Sequence, residues 1–236
     1  MRRTINLATV WTGPLFFVLY LLAFGVIAGY LPPPSPSLTA NEVVQLFTED
    51  GQRIRFGLIL GMIFCTLMFG FFGAFSVQIA RIEGRVPILA MLQFGAAVLL
   101  IVFFFVCHML WIAMTFRDYS APAMQQMNDL AWLIFVMVFP TYVLQMICIA
   151  LAAFMDTEEQ AFPRWYGWFC LWVGISGSGG AIAVYFKSGP LAWNGVIGFW
   201  IPIVMFAIWL CASVPVLLRA VHSQFDQLDA ADAAAA

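Results

Sequence analysis

Charge is what this sequence has least of. Among its 236 residues, 10 are Lys or Arg and 12 are Asp or Glu, together 9%, where a soluble domain carries about 25%. So little charge excludes a water-exposed globular surface. The net charge of −2 and the dispersal of the basic residues exclude a nucleic-acid-binding face. Five cysteines occur, Cys65, Cys107, Cys148, Cys170 and Cys211, each in a different apolar segment. None forms a C-x-x-C pair, which excludes a zinc motif and a disulfide framework. They read as small buried apolar side chains. Paired carboxylates inside the apolar segments, H-E-x-x-H, G-x-S-x-G and an EF-hand loop are all missing. Asp156, Glu158 and Glu159 lie in one solvated loop without metal-ligand spacing. No catalytic constellation emerges, and no cofactor is named by any motif.

What is present is apolar length. Hydrophobic residues make up 64% of the chain and come in runs of about 20, matching a ~30 Å hydrocarbon core at 1.5 Å per helical residue. Six spans follow: about Ala8–Tyr30, Phe56–Ala80, Pro87–Phe116, Leu130–Phe154, Trp165–Phe186 and Trp193–Leu218. The fold class is therefore an all-α, polytopic transmembrane bundle over residues 1–224. The acidic, then alanine-only segment 225–236 is expected to be a disordered tail. The first span follows Arg2-Arg3 and is too long for a cleaved secretory signal.

Leu31–Ser37 (LPPPSPS) cannot continue a helix, because successive prolines remove donors and fix φ. Thr39-Ala40-Asn41-Glu42 fits a capping box that opens a short helix, Asn41 to Thr48. Arg2, Arg3, Arg81, Arg85, Arg164 and Arg219 fall on one side of the spans; Arg53, Arg55, Arg117 and Lys187 fall on the other. The positive-inside rule assigns the first side, and both termini, to the cytoplasm.

Polar residues at the outer span ends supply the candidate ligand-binding set. Charged groups near lipid are expensive unless they pair, snorkel or face water. Asp129 is expected to pair with Arg55 or Arg117, with Trp132 and Trp193 as interface anchors. The functional alternative is an outward vestibule that also includes Asn194. His108, about two turns inside the third span, shares a face with Thr115 at 100° per residue and lies within about 60° of Gln93. An intramembrane histidine is a functional hypothesis by default. Haem needs a second axial ligand, and His222 lies beyond the sixth span on the opposite side. Deeper, Gln93 and Gln145 sit at comparable depth and are expected to bond each other for about 0.6 kcal/mol.

Gly174–Gly180, GISGSGG, lacks the strand and Gly-Lys-Ser/Thr ending of a phosphate loop. Small residues spaced by four permit close helix approach. Alternatively the helix unwinds there, with Ser176 and Ser178 facing a ligand. Trp165, Trp168 and Trp172 form a stripe on one face just before it.

KSGPLAWNGVIGFWIP (Lys187–Pro202), MNDLAWLIFV (Met127–Val136), FPRWYGW (Phe162–Trp168) and QRIRFG at the entry to span two carry a family resemblance. In their order along the chain, these motifs resemble a family of small six-span integral membrane proteins of the actinobacterial type. The resemblance implies a bacterial inner membrane and supplies no reaction, cofactor or catalytic residue. Together these features describe a non-enzymatic membrane protein. Its expected role is an accessory subunit with a membrane-protein partner, or a binder of lipid or a small apolar or amphipathic ligand. The alternatives are a secondary transporter with an interrupted fifth helix and a haem- or quinone-binding redox subunit resting on His108.

Overall fold

A computed structural model describes residues 1–235. Among them six helical segments are long and apolar enough to cross a membrane: Arg2–Ile27, Gly51–Glu83, Ile88–Met114, Ala121–Met155, Arg164–Tyr185 and Val196–Ala234. These are spans one to six. The expected bundle is therefore the observed architecture.

Only span three is a single uninterrupted α-helix, α5 (Ile88–Met114). Span one is α1 (Arg2–Tyr20), which relaxes into π-helix over Leu21–Ile27. It ends at Gly29, whose φ of 73° lies where glycine is favoured. The proline strap, residues 30–39, follows and leads into α2 (Ala40–Glu49). The expected capping box is present there, Thr39 and Glu42 each bonding the other's backbone N–H. Span two is α3 (Gly51–Cys65) and α4 (Leu67–Glu83), offset at Thr66. Span four is α6 (Ala121–Met137) and α7 (Phe139–Met155). They part at Val138, next to Pro140, which cannot donate to the helical ladder. Span five is α8 (Arg164–Gly177), which tightens to 3₁₀ over Ser178–Tyr185. Span six opens as π-helix, Val196–Trp200, and continues as α9 (Ile201–Ala235).

Consecutive spans are neighbours, and the sixth returns to the first. Thus α1 packs on α4, α4 and α3 on α5, α5 on α6 and α7, α7 on α8, α8 on α9, and α9 on α1. The six spans close into a ring. Its outer surface is apolar, with Trp11, Leu15, Val18 and Leu22 exposed at helical spacing along span one, as lipid contact requires. Trp165, Trp168 and Trp172 are 55%, 58% and 68% exposed, so that stripe faces outward rather than into the bundle.

The tail departs from expectation. α9 continues as helix through Ala235, and residue 236 lies outside the described residues. Alanine is the strongest helix former, and the first part of the extension is held by contacts. Asp226 pairs with Arg3 at 3.3 Å, and Gln227 Oε1 accepts from Arg81 at 2.7 Å. Low hydrophobicity pointed to disorder; propensity and these bonds favour helix.

Candidate functional site

Among the described residues no hydrogen bond or ion pair joins Arg55, Arg117, Asp129 and Asn194 to one another. Arg55 donates to Thr115 Oγ1 at 2.9 Å and also to the Thr115 carbonyl. It thereby caps the carbonyl end of α5, where a cation is favoured. Arg117 is exposed, its guanidinium 5.5 Å from the Phe116 ring centre. Asp129 is half-buried and pairs with neither arginine. Among the described residues the ion pairs are Arg3–Asp226 and Arg53–Asp50. With Arg55 committed to Thr115, the expected Asp129 pairing is replaced by a cap. Asn194 is half-buried in the turn before span six.

The two tryptophans read as interface anchors are buried instead, Trp132 at 0% and Trp193 at 5% exposure. Trp193 Nε1 donates to the Pro34 carbonyl at 2.9 Å. Ser37 Oγ donates to the Lys187 carbonyl at 2.7 Å, and Gln125 Nε2 to the Leu38 carbonyl at 2.8 Å. These three bonds fasten the proline strap over the end of the ring away from the termini. The strap supplies carbonyls that its prolines leave free, which draws the indole inward.

His108 is fully buried. Its Nδ1 lies 2.6 Å from the Phe104 carbonyl, which can only accept, so that nitrogen carries the proton. Nε2 then accepts from Tyr20 Oη at 3.2 Å. Both nitrogens are used by the protein, leaving neither for haem iron. His222 sits at the opposite end, bonded to Arg3 at 2.7 Å. Among the described residues no cluster of three or more His, Cys, Asp or Glu side chains forms.

The glycine-rich run is a contact surface. A Cβ on Gly179 would lie 2.1 Å from the Ile197 carbonyl oxygen, and one on Gly180 2.0 Å from that of Val136. The helix tightens there without opening into a loop. Ser176 and Ser178 spend their hydroxyls on the Val173 and Ile175 carbonyls, at 2.9 and 2.6 Å. Gln93 and Gln145 do not meet either. Gln93 Oε1 accepts from Ser76 Oγ, and Gln145 Nε2 reaches the Thr141 carbonyl at 3.4 Å.

The site that the sequence did not reveal is an apolar cavity of about 160 Å³ at the centre of the ring. All six spans line it. Phe16, Tyr20 and Leu21 come from span one, Cys65 and Met68 from span two, and Leu100 and Phe104 from span three. Val136, Val138 and Tyr142 belong to span four, Gly177 to span five, and Phe199 and Pro202 to span six. The departures from α-helix fall at this level. Leu21 begins the π segment, Cys65 ends α3, Val138 parts α6 from α7, Gly177 ends α8, and Phe199 lies in the second π segment. Irregular turns inside long helices recur at functional sites. Here the irregular turns from five spans meet at the cavity wall. The lining is almost wholly carbon and only partly enclosed. An engineered apolar cavity of about 150 Å³ stays dry and takes benzene, so this one holds a single ring or a short stretch of chain.

Towards the strap the cavity abuts an aromatic cluster. Tyr20 and Phe135 line the cavity, and Phe135 stacks on Phe24 at 5.2 Å and 3°. Behind them Tyr30, Trp111 and Trp132 meet pairwise, with ring centres 4.9 to 5.5 Å apart. Sequence alone gave these aromatics no address, because they arrive from three elements more than 20 residues apart.

At the terminal end, Arg81 joins three parts of the chain. It donates to Gln78 Oε1, the Ala220 carbonyl, Gln160 Oε1 and Ser223 Oγ at 3.2 to 3.3 Å, and to Gln227 at 2.7 Å. Every partner is neutral, and the arrangement ties α4 and α9 to the α7–α8 loop. No protein-family model, curated protein or solved structure matches this chain, so its chemistry rests on this geometry.

Proposed function

We propose that this protein is a non-enzymatic, six-span inner-membrane protein that binds the hydrocarbon chain of a membrane amphiphile in its central cavity. One observation carries the reading: all six spans contribute to a carbon-lined chamber at the level where five of them leave α-helical geometry. Positive charge assigns the terminal end to the cytoplasm, so the strap faces outward. The motif resemblance supports a bacterial membrane.

An alkyl probe bearing a terminal diazirine tests the proposal. Labelling is expected at Met68, Leu100 or Val136 and is expected to fall severalfold in Val136→Phe, which fills the chamber. Labelling confined to exposed residues such as Val18 and Leu22 would refute it.

The transporter alternative draws on the same helix irregularities. It is weakened at span five, where Gly179 and Gly180 are wedged against backbone carbonyls. The haem alternative is weakened by the double engagement of His108.

A further inference from the structure

We infer that the aromatic cluster beneath the strap is the head-group site for the same amphiphile, and that it takes a neutral head rich in carbonyl oxygen. The inference rests on the chain-binding reading for the tail. Its evidence is a set of polar atoms without partners. Of the eight buried side-chain polar atoms that find no hydrogen-bond partner among the described residues, four belong to Tyr30 (Oη), Trp111 (Nε1), Trp132 (Nε1) and Asn128 (Oδ1). Their side chains are 0 to 2% exposed, and Asn128 stands one helical turn before Trp132 on α6. Buried polar groups in proteins are nearly always satisfied, and a cluster of exceptions calls for an occupant. In a bilayer the requirement is sharper, because no solvent supplies the missing bonds.

The atoms themselves define that occupant. Two indole N–H groups and a phenol donate; one amide oxygen accepts. An acceptor-rich head therefore fits, and a carbonyl oxygen with two lone pairs fits best. Among the described residues no Lys, Arg, Asp or Glu is buried, so a charged head would go uncompensated. His108 closes one side of the cluster, its ring 5.9 Å from Trp111, with both nitrogens already engaged.

Continuity with the cavity sets the tail. Phe135 is shared by both: it lines the chamber and contacts Trp111 and Trp132 at 5.9 and 5.8 Å. A head lodged among the tryptophans therefore places its chain past Phe135 into the apolar chamber. Two classes of amphiphile share this chemistry, a ring diketone of the quinone type and a neutral acylglycerol.

The test compares decyl-1,4-benzoquinone, dioctanoylglycerol and carbonyl-free decylbenzene on the full chain in detergent, with binding read by calorimetry. A carbonyl ligand is expected to bind about tenfold tighter than decylbenzene. Whichever of the two shows the preference identifies the source. Tyr30→Phe and Trp132→Phe are expected to reduce that preference to about threefold or less. Tyr30→Phe deletes only an unpartnered hydroxyl, so its ligand-free melting temperature is expected to stay level or rise. That separates lost binding from lost folding.

Equal binding of all three ligands, or a preference unchanged in both variants, overturns the head-group site. Diazirine labelling of the cavity would in that case still support the chain-binding reading. Absence of cavity labelling overturns the latter on its own, whatever the carbonyl preference.

Discussion

Tyr20 Oη and His108 Nε2 lie 3.2 Å apart inside the bundle and join span one to span three across 88 residues of sequence. The contact is possible because Gly61 presents no side chain: a Cβ there would stand 3.0 Å from His108 Nε2. His108 also packs against Phe24 and Trp111, at 5.7 and 5.9 Å. Its replacement by Ala removes that packing and strands the Tyr20 hydroxyl. The expected loss of stability is about 2–4 kcal/mol. Tyr20→Phe breaks the same hydrogen bond with little change of volume and is expected to cost about 1 kcal/mol. A double-mutant cycle, followed by reversible unfolding in mixed micelles, should return a coupling of about 1 kcal/mol. Additive losses would mean that the two groups do not interact.

The glycines separate by what a methyl group would meet. At Gly179 and Gly180 it would collide with backbone oxygens of neighbouring elements, which cannot rotate away. Gly179→Ala and Gly180→Ala are expected to cost about 3 kcal/mol or more, or to prevent insertion of folded protein. At Gly95 no atom lies within 4 Å. Gly95→Ala should raise stability by about 0.5–1 kcal/mol through helix propensity alone. The yield of monodisperse protein and its melting temperature, measured for all three variants, would expose a failure of this ordering.

Sequence made the six spans legible because hydrocarbon thickness dictates their length, and the Thr39–Glu42 cap because its spacing is local. Close packing at Gly179 and Gly180 was legible as one of two readings, from small residues spaced by four. The pairings were not. Asp129, Arg55 and Arg117 share a depth, but depth does not say which face of each helix meets which neighbour. Trp132 and Trp193 have the composition of interface anchors, yet the strap caps the ring and turns both inward. The cavity was hidden for a related reason. It arises where five spans deviate together from ideal helix, and no local pattern announces that coincidence.

Arg81 counted in the sequence only as a topology-setting charge, and the structure makes it a tether. Its guanidinium gathers neutral acceptors from α4, α9 and the α7–α8 loop. Arg81→Ala is expected to free the end of α9 beyond Ser223, with a stability loss of about 1–3 kcal/mol. Arg81→Lys should restore little, because a single ammonium cannot reproduce the planar fork that spans these acceptors. Hydrogen exchange at Gln224 to Leu228 provides the readout: faster in both variants, unchanged at the other end of the bundle. Equal protection in wild type and Arg81→Ala would show that the helix needs no tether.

The capping box of α2 makes the strap sensitive to acid. The Thr39 backbone N–H and hydroxyl both donate to Glu42, at 2.7 and 2.8 Å, and hold its carboxyl below its ordinary value of 4.5. A carboxyl whose pKa is lower folded than unfolded stabilises the folded state fully above the unfolded value. That contribution is lost as the pH falls through the lower, folded one. Protonation therefore acts on the cap only below about pH 4.5, the unfolded value, and the strap is unaffected at neutral pH. The cap matters beyond α2 because Thr39 follows Leu38, whose carbonyl accepts the bond from Gln125 that fastens the strap to α6. Protection factors of the α2 amides and of Gln125, corrected for the slower intrinsic exchange in acid, should fall together between pH 6 and pH 3. In Glu42→Gln the acid step should disappear, leaving the α2 amides equally protected at both pH values. An undiminished step in that variant would assign the acid response to another carboxylate.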